Sequence, residues 1–279
     1  MSLSGLFRIT RPANSLVAGL AAIVAYLIAT GTVVPAAGYL LFIVTLVTAA
    51  GNVINDYFDA EIDAINRPDR PIPSGAVTRT AARSFAVSLF LCSILVSLFT
   101  NMLCIAIAVF NSLLLIAYAA RLKSTPFFGN VAVAYLSASI FLFGGALAGW
   151  TGLVHMLPVA AITFLAMLSR ELLKDAEDVI GDASAGASTL PIRMGIPFTV
   201  RLAFLFVLFA LLASAVPYIW WGIWYLAGIL VVDCVILAAA VKALPCTTPA
   251  CVTASGSTTL LKAGMFASLV VFTLSAIFL

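Results

Sequence analysis

Apolar residues run along this chain in long blocks, and short connections carrying most of the polar residues separate them. Nine such blocks can be drawn, near residues 13–31, 37–58, 81–99, 102–120, 127–149, 156–176, 197–216, 219–241 and 259–279. Roughly 20 apolar residues cross the hydrocarbon layer as a helix, so each block predicts one membrane-spanning helix. None alternates apolar and polar positions as a barrel strand would, and a helix satisfies its own backbone groups in lipid. The pattern therefore predicts an all-α integral membrane protein, with one polytopic domain over residues 1–279.

Composition agrees with the pattern. The chain is 63% hydrophobic and 9% charged, with a mean hydropathy of +1.18, more apolar surface than a soluble core could bury. Arg8 and Arg11 ahead of the first block give it the look of a signal peptide, but eight further spans argue for a retained first helix.

Charge sets the expected orientation. All fourteen Lys and Arg fall on one side of the nine spans, while the connections near 32–36, 100–101, 150–155 and 217–218 carry none. The positive-inside rule then predicts a cytoplasmic N-terminus and an outer C-terminus. The net charge of +3 is thus a topology signal, and no basic patch with interleaved aromatics points to nucleic acid. The five cysteines form no CxxC pair; Cys92, Cys104 and Cys234 read as core packing, and Cys246 and Cys251 flank a short cytoplasmic loop where a disulfide would be reduced. His155, the one histidine, falls in an outer connection and reads as a bystander.

The acids are distributed quite differently. Ten of the eleven lie in "NDYFDAEIDAINRPDRPIPSG" (Asn55 to Gly75) and "RELLKDAEDVIGD" (Arg170 to Asp182), and the eleventh is Asp233, alone in the eighth span. Asn55, Asp59 and Asp63 stand at i, i+4 and i+8, and Asp175, Asp178 and Asp182 at i, i+3 and i+7, so each set predicts one helix face. Asp56, Asp59 and Asp63 repeat the second spacing 119 residues earlier, which hints at a duplicated half. Ionisable groups are costly in a membrane segment and are functional candidates there. Two facing rows of carboxylates need something positive between them, and oxygen-only ligands suit a hard divalent cation. Mg2+ takes one or two carboxylates and completes its shell with water and substrate phosphates, so the pair of clusters predicts Mg2+ and a diphosphate. Arg67, Arg70 and Lys123 supply cations for such a leaving group. The alternative is that both clusters are solvated loops.

With these residues the chain resembles the UbiA family of intramembrane prenyltransferases. Asn55-Asp56-x-x-Asp59-x-x-x-Asp63 matches the family's first motif, and Asp178-x-x-x-Asp182, preceded by Asp175, its second. "NRPDRPIPSG" (Asn66 to Gly75), "RPANS" (Arg11 to Ser15) and "LKSTPFFGN" (Leu122 to Asn130) match further family segments. The resemblance implies a ring of helices around a central cavity and Mg2+-dependent ionisation of a prenyl diphosphate to an allylic cation that the acceptor captures. It implies Asn55, Asp59, Asp63, Asp175, Asp178 and Asp182 as metal ligands, direct or through water. It further implies Arg67 and Lys123 on the diphosphate, and Arg11, Asn14 and Tyr135 along the pocket. Within the family, "KDAEDVIGDASAGASTLPI" (Lys174 to Ile192) is closest to archaeal members that add the second geranylgeranyl chain to the glycerol phosphate of membrane lipids, although its TLPI end is shared with quinone-type members.

The expected partners are a prenyl diphosphate donor, a lipid-like phosphate acceptor and membrane lipids. An acceptor phosphate needs cations of its own, for which Arg170, Lys174 and Arg11 are the candidates. Two other readings stay open: prenylation of an aromatic acid or quinone precursor, and a cation-coupled transporter. Transporter sites usually lie at the midplane on broken helices. Here the clustered acids lie at the basic ends of the spans.

Overall fold

Each apolar block forms a helix in the computed structural model, which describes residues 2–184 and 186–279. Met1 and Ala185, the latter inside the Lys174–Ile192 segment, lie outside them. The helices are α1 (Leu3–Ile9), α2 (Pro12–Thr30), α3 (Ala37–Phe58), α4 (Ala60–Asn66), α5 (Arg79–Ser97), α6 (Met102–Ala120), α7 (Phe128–Leu147), α8 (Gly149–Ser184), α9 (Leu190–Met194), α10 (Ile196–Ser214), α11 (Tyr218–Ala243), α12 (Pro249–Ser255) and α13 (Ser257–Phe278). Among the described residues there is no strand, and nine segments are long and apolar enough to cross a membrane, with α12 and α13 together counted as one. The protein is a multi-pass membrane protein.

The largest departure from the sequence pattern is α8. Its 36 residues absorb the expected 150–155 connection and run on past residue 176 to Ser184. Hydropathy ends where "KDAEDVIGD" begins, but helix geometry does not, because those residues are tolerable helix formers and place opposite charges, Lys174 and Asp178, at i, i+4. At 1.5 Å per residue the helix is about 54 Å long, well beyond the roughly 30 Å of hydrocarbon. The excess carries the second acidic motif beyond the apolar layer. The short helices α1, α4, α9 and α12 fall below any spanning window.

Neighbouring spans pack in a closed ring: α2 on α3, α3 on α5, then α6, α7, α8, α10, α11, α13 and back to α2. In addition α2 packs against α7 across the ring. That contact depends on Gly144, where a Cβ would come within 2.5 Å of the Ala25 backbone carbon. Small residues permit such approach between membrane helices, where packing replaces the hydrophobic drive available in water. The expected central cavity is thereby divided, with one hydrophobic core on each side. Leu172, Tyr225, Ile229 and Phe272 belong to one, and Leu40, Ile43, Val53 and Phe90 to the other.

Hydrogen bonds gather the basic connections at one end of the ring. Ser2 N donates to Ala76 O, Ser188 N to Ser124 O, and Thr258 Oγ1 to Glu177 Oε1 at 2.9 Å. At the opposite end Asn101 caps α6 and donates from Nδ2 to Ala146 O at 2.7 Å.

The cysteines differ from expectation. Only Cys104 of the three core candidates is buried, while Cys92 and Cys234 are exposed on the outer faces of α5 and α11. Lipid is as apolar as a core, so hydrophobicity alone does not separate the two faces. Cys246 and Cys251 are joined as a disulfide rather than reduced, since the turn between α11 and α12 brings their Cα atoms to 5.3 Å, within bonding range. His155 lies on α8, not in a connection, and its ring lies tilted against that of Trp220, with centroids 4.3 Å apart.

Candidate active site

The first acidic motif straddles a break. α3 ends at Phe58, and Asp59 takes φ −84° and ψ 0°, the sparsely populated bridge region where active-site residues are often found. The i to i−4 bonding nonetheless continues, from Asp59 N to Asn55 O and from Asp63 N to Asp59 O. The side chains divide into two pairs. Asn55 Nδ2 donates to Asp59 Oδ2 at 2.8 Å, and the Lys123 ammonium is ion-paired with Asp59 Oδ1. Asp56 and Asp63 instead turn inward to Arg70, whose Nη1 donates to Asp63 Oδ2 at 2.6 Å and to Asp56 Oδ1 at 3.2 Å. Arg11 Nη2 adds a 2.7 Å bond to Asp56. The single face expected for Asn55, Asp59 and Asp63 thus holds for the first two, and Asp63 is drawn to the Asp56 side by the arginine. With side chains 5% and 9% exposed, Asp56 and Asp63 depend on that arginine, because an unpaired charge there would be costly.

Lys123 is delivered by a 3-10 turn, Leu122–Ser124, pressed against the start of α7. Gly129 allows this, since a Cβ there would stand 2.8 Å from Leu122 O. One residue on, Asn130 Nδ2 donates to Asp175 Oδ2 at 2.8 Å, tying the second motif to the same turn. Tyr118, Lys123, Thr125, Asn130, Glu171 and Asp175 line a small polar cavity of about 30 Å3. Lys123 therefore stands between the two acidic clusters. Asp182 is half-buried and Asp178 exposed further along α8, and Arg67 is exposed beyond α4.

Among the described residues no group of three His, Cys, Asp or Glu is already gathered as a metal site. The donors are carboxylate and amide oxygens, converging in ones and twos. That set fits Mg2+, which relies on substrate phosphates and water for the rest of its shell.

Two larger apolar cavities lie on either side of the α2–α7 contact. One of about 310 Å3 lies between α2, α3, α6 and α7, with Asn52, Leu115 and Tyr118 in its wall. Tyr118 also lines the polar cavity, so the two adjoin there. The other, about 410 Å3, lies between α2, α7, α8, α10, α11 and α13, and carries Asn14, Arg170, Lys262 and Asp233. Ala18, Ser137 and Ile140 border both large cavities. Asp233 accepts a 2.6 Å bond from Ser214 Oγ on α10.

Of the remaining candidates, Asn14 and Arg170 line the larger cavity. Arg11 is held by Asp56, Lys174 is exposed, and Tyr135 packs edge-on against Phe110 outside all three cavities. Asn130, Glu171 and Lys262 were not singled out from sequence, and Arg70 was read only as a cation for the leaving group, not as the partner of Asp56 and Asp63. Asn130 closes the LKSTPFFGN segment and Arg70 follows Arg67 by three residues, so a signal existed for both; Lys262 had none beyond its charge.

The comparisons with known proteins agree with this geometry. The profile of the UbiA prenyltransferase family matches residues 18–255. Over all 279 residues the chain is 70% identical to digeranylgeranylglyceryl phosphate synthase of Methanoregula boonei, covering 100% of both chains. It superposes on a solved structure of a digeranylgeranylglyceryl phosphate synthase in membranes with a TM-score of 0.90 at 34% identity, covering 99% of each chain. A UbiA homologue from Archaeoglobus fulgidus bound to GPP and Mg2+ shares the fold, with a TM-score of 0.63 at 17% identity over 95% of this chain and 99% of that one. The chain belongs to the UbiA prenyltransferase family.

Proposed function

We propose that this prenyltransferase moves a geranylgeranyl group from its diphosphate to geranylgeranylglyceryl phosphate, building the second ether bond of an archaeal membrane lipid. The observation that carries this reading is the pair of apolar cavities on either side of α2–α7, one with Arg170 and Lys262 in its own wall and the other adjoining, at Tyr118, the polar cavity that holds Lys123. Two long isoprenoid substrates with anionic heads need two such spaces, whereas a small aromatic acceptor needs one. The names of the relatives, the 70% identical chain among them, favour the same substrates.

In this reading the donor's diphosphate lies against Lys123, with Arg67 approaching from the connection after α4, and its chain descends past Tyr118 into the cavity of about 310 Å3. Asn55, Asp59, Asp63, Asp175, Asp178 and Asp182 are the residues that would hold Mg2+, directly or through water. When bound, Mg2+ would offset charge on the diphosphate, as the Mg2+ seen with GPP in the Archaeoglobus fulgidus homologue suggests. Lys123 stabilises the negative charge that grows on the diphosphate as the bond to C1 breaks. The Tyr118 ring, bordering both spaces, faces the allylic cation that remains. The apolar walls exclude water, leaving the acceptor hydroxyl as the available nucleophile. The expelled diphosphate takes the hydroxyl proton. The basic end, by the positive-inside rule, faces the cytoplasm.

The test is turnover by purified protein with geranylgeranyl diphosphate and a panel of acceptors, scored as diphosphate released. Stoichiometric release with geranylgeranylglyceryl phosphate supports the proposal. Efficient prenylation of 4-hydroxybenzoate, with none of the glycerol phosphate, would move the chain to the aromatic branch.

A further inference from the structure

We propose that Arg170 and Lys262 form a second phosphate site, which holds the acceptor's phosphate at the mouth of the larger cavity while its isoprenoid chain fills the space below. This rests on the acceptor assigned above and adds the residues that select it.

The larger cavity is polarised along its length. Thr258, in the first turn of α13, bonds Glu177 on α8, which sets a common level for the two helices. From that bond Lys262 lies four residues inward on α13 and Arg170 seven inward on α8, about 6 and 10 Å at 1.5 Å per residue. Both cations therefore sit near the basic end, as does Asn14 in the first turn of α2. Below them the wall is apolar through Met265, Phe266 and Leu269 to Phe272, ten residues or about 15 Å further along α13. Asp233 lies ten residues, about 15 Å, inward from the end of α11, so its carboxyl sits deep in the cavity. An anionic head is attracted at one end of this space and finds no cation at the other.

The two cations have bonding capacity to spare. Arg170 donates from Nη1 to Glu171, but its buried Nε has no partner, an orphaned donor on a guanidinium that borders the cavity. Among the described residues no carboxylate pairs with Lys262, which is exposed. A guanidinium fork and an ammonium lining one cavity suit a phosphate monoester, the first by geometry and the second by charge. The chain has room to enter from the side, because Val17 on α2 and Phe266 on α13, both lining the cavity, are 60% and 56% exposed. A phosphate-headed isoprenoid lipid matches charge, depth and apolarity together. The diphosphate site at Lys123 lies on the other flank of α8, reached through Glu171.

The experiment compares Lys262→Gln with wild type on two acceptors, geranylgeranylglyceryl phosphate and the phosphate-free geranylgeranylglycerol. Lys262→Gln should raise the apparent KM for the phosphorylated acceptor about tenfold or more, the worth of one charged hydrogen bond. The donor KM should hold within about twofold, and Lys262→Arg should restore most of the loss. With the phosphate-free acceptor the variant and wild type should match. An equal penalty on both acceptors, or a parallel rise in the donor KM, would overturn the proposal. Failure of the wild type to use the glycerol phosphate would instead overturn the acceptor assignment, so the two failures are distinct.

Discussion

Arg170 and Glu171 are consecutive on α8, yet the first lines the larger apolar cavity and the second the polar cavity beside Lys123, and a 2.6 Å Nη1–Oε1 bond joins them. The pair links the two proposed anion sites. Removing either partner disturbs both, so Arg170→Met and Glu171→Gln should not add. The coupling expected for bonded neighbours is about 0.5–3 kcal/mol, read from kcat/KM of the single and double variants. Strict additivity would show that the bond carries no functional load.

The acids of the two motifs should govern the chemistry. Asp59→Ala and Asp178→Ala should abolish diphosphate release while the protein stays folded and inserted, and chelation of Mg2+ should do the same to wild type. Lys123→Met should lower kcat by about a hundredfold, the usual loss when one charge-stabilising donor is removed. Asp233→Asn keeps its bond to Ser214 and should retain most activity. A magnesium response unchanged in both Asp variants would sink the two-cluster site.

Arg70 should matter chiefly for stability. Arg70→Met leaves Asp56 and Asp63 buried without their shared partner, a loss of about 3–5 kcal/mol by analogy with other broken buried pairs. Arg79→Met, which removes an exposed pair with Glu61, should cost at most about 1 kcal/mol. Thermal unfolding in detergent should lower the midpoint sharply for the first and barely for the second.

Gly144→Ala should weaken the α2–α7 contact, because the added methyl meets the Ala25 backbone, which cannot swing aside as a side chain could. Overpacking of this kind costs about 1–3 kcal/mol. A variant as stable as wild type would mean that the two helices part easily.

Orientation is open to cysteine labelling of intact cells. Val33→Cys and Thr151→Cys should react from outside, and Ser74→Cys and Ser184→Cys should not. Thr151 serves better than Gly152, where a side chain would strike the Gly145 carbonyl at 2.6 Å. Outside labelling at residue 184 would reverse the assignment.

The spans could be read from sequence because lipid imposes a length and an apolarity on every crossing helix, and each of the nine blocks meets both. α1, α4, α9 and α12 could not, being too short for that constraint to act on. In the site, the spacing of Asn55 and Asp59 carried through to geometry because both lie within one turn. Asp63 did not, since its direction depends on an arginine beyond α4. Arg67 and Arg70 are equivalent on paper; only the turn that bonds Arg70 N to Arg67 O decides which of them folds back over the acids. Lys262 looked like any membrane-edge lysine because the cavity it borders is built from six helices, a property of no local stretch.

The unbroken run of α8 beyond Pro158, through to Ser184, makes one rod of a membrane span and the acidic segment that follows it. Arg170 and Asp178 are eight residues apart on it, about 12 Å along the axis, with no hinge between them. The rod acts as a caliper. Inserting a single residue between them would turn one jaw by about 100° relative to the other, so the span between the proposed phosphate site and the second acidic motif is set by helical repeat alone.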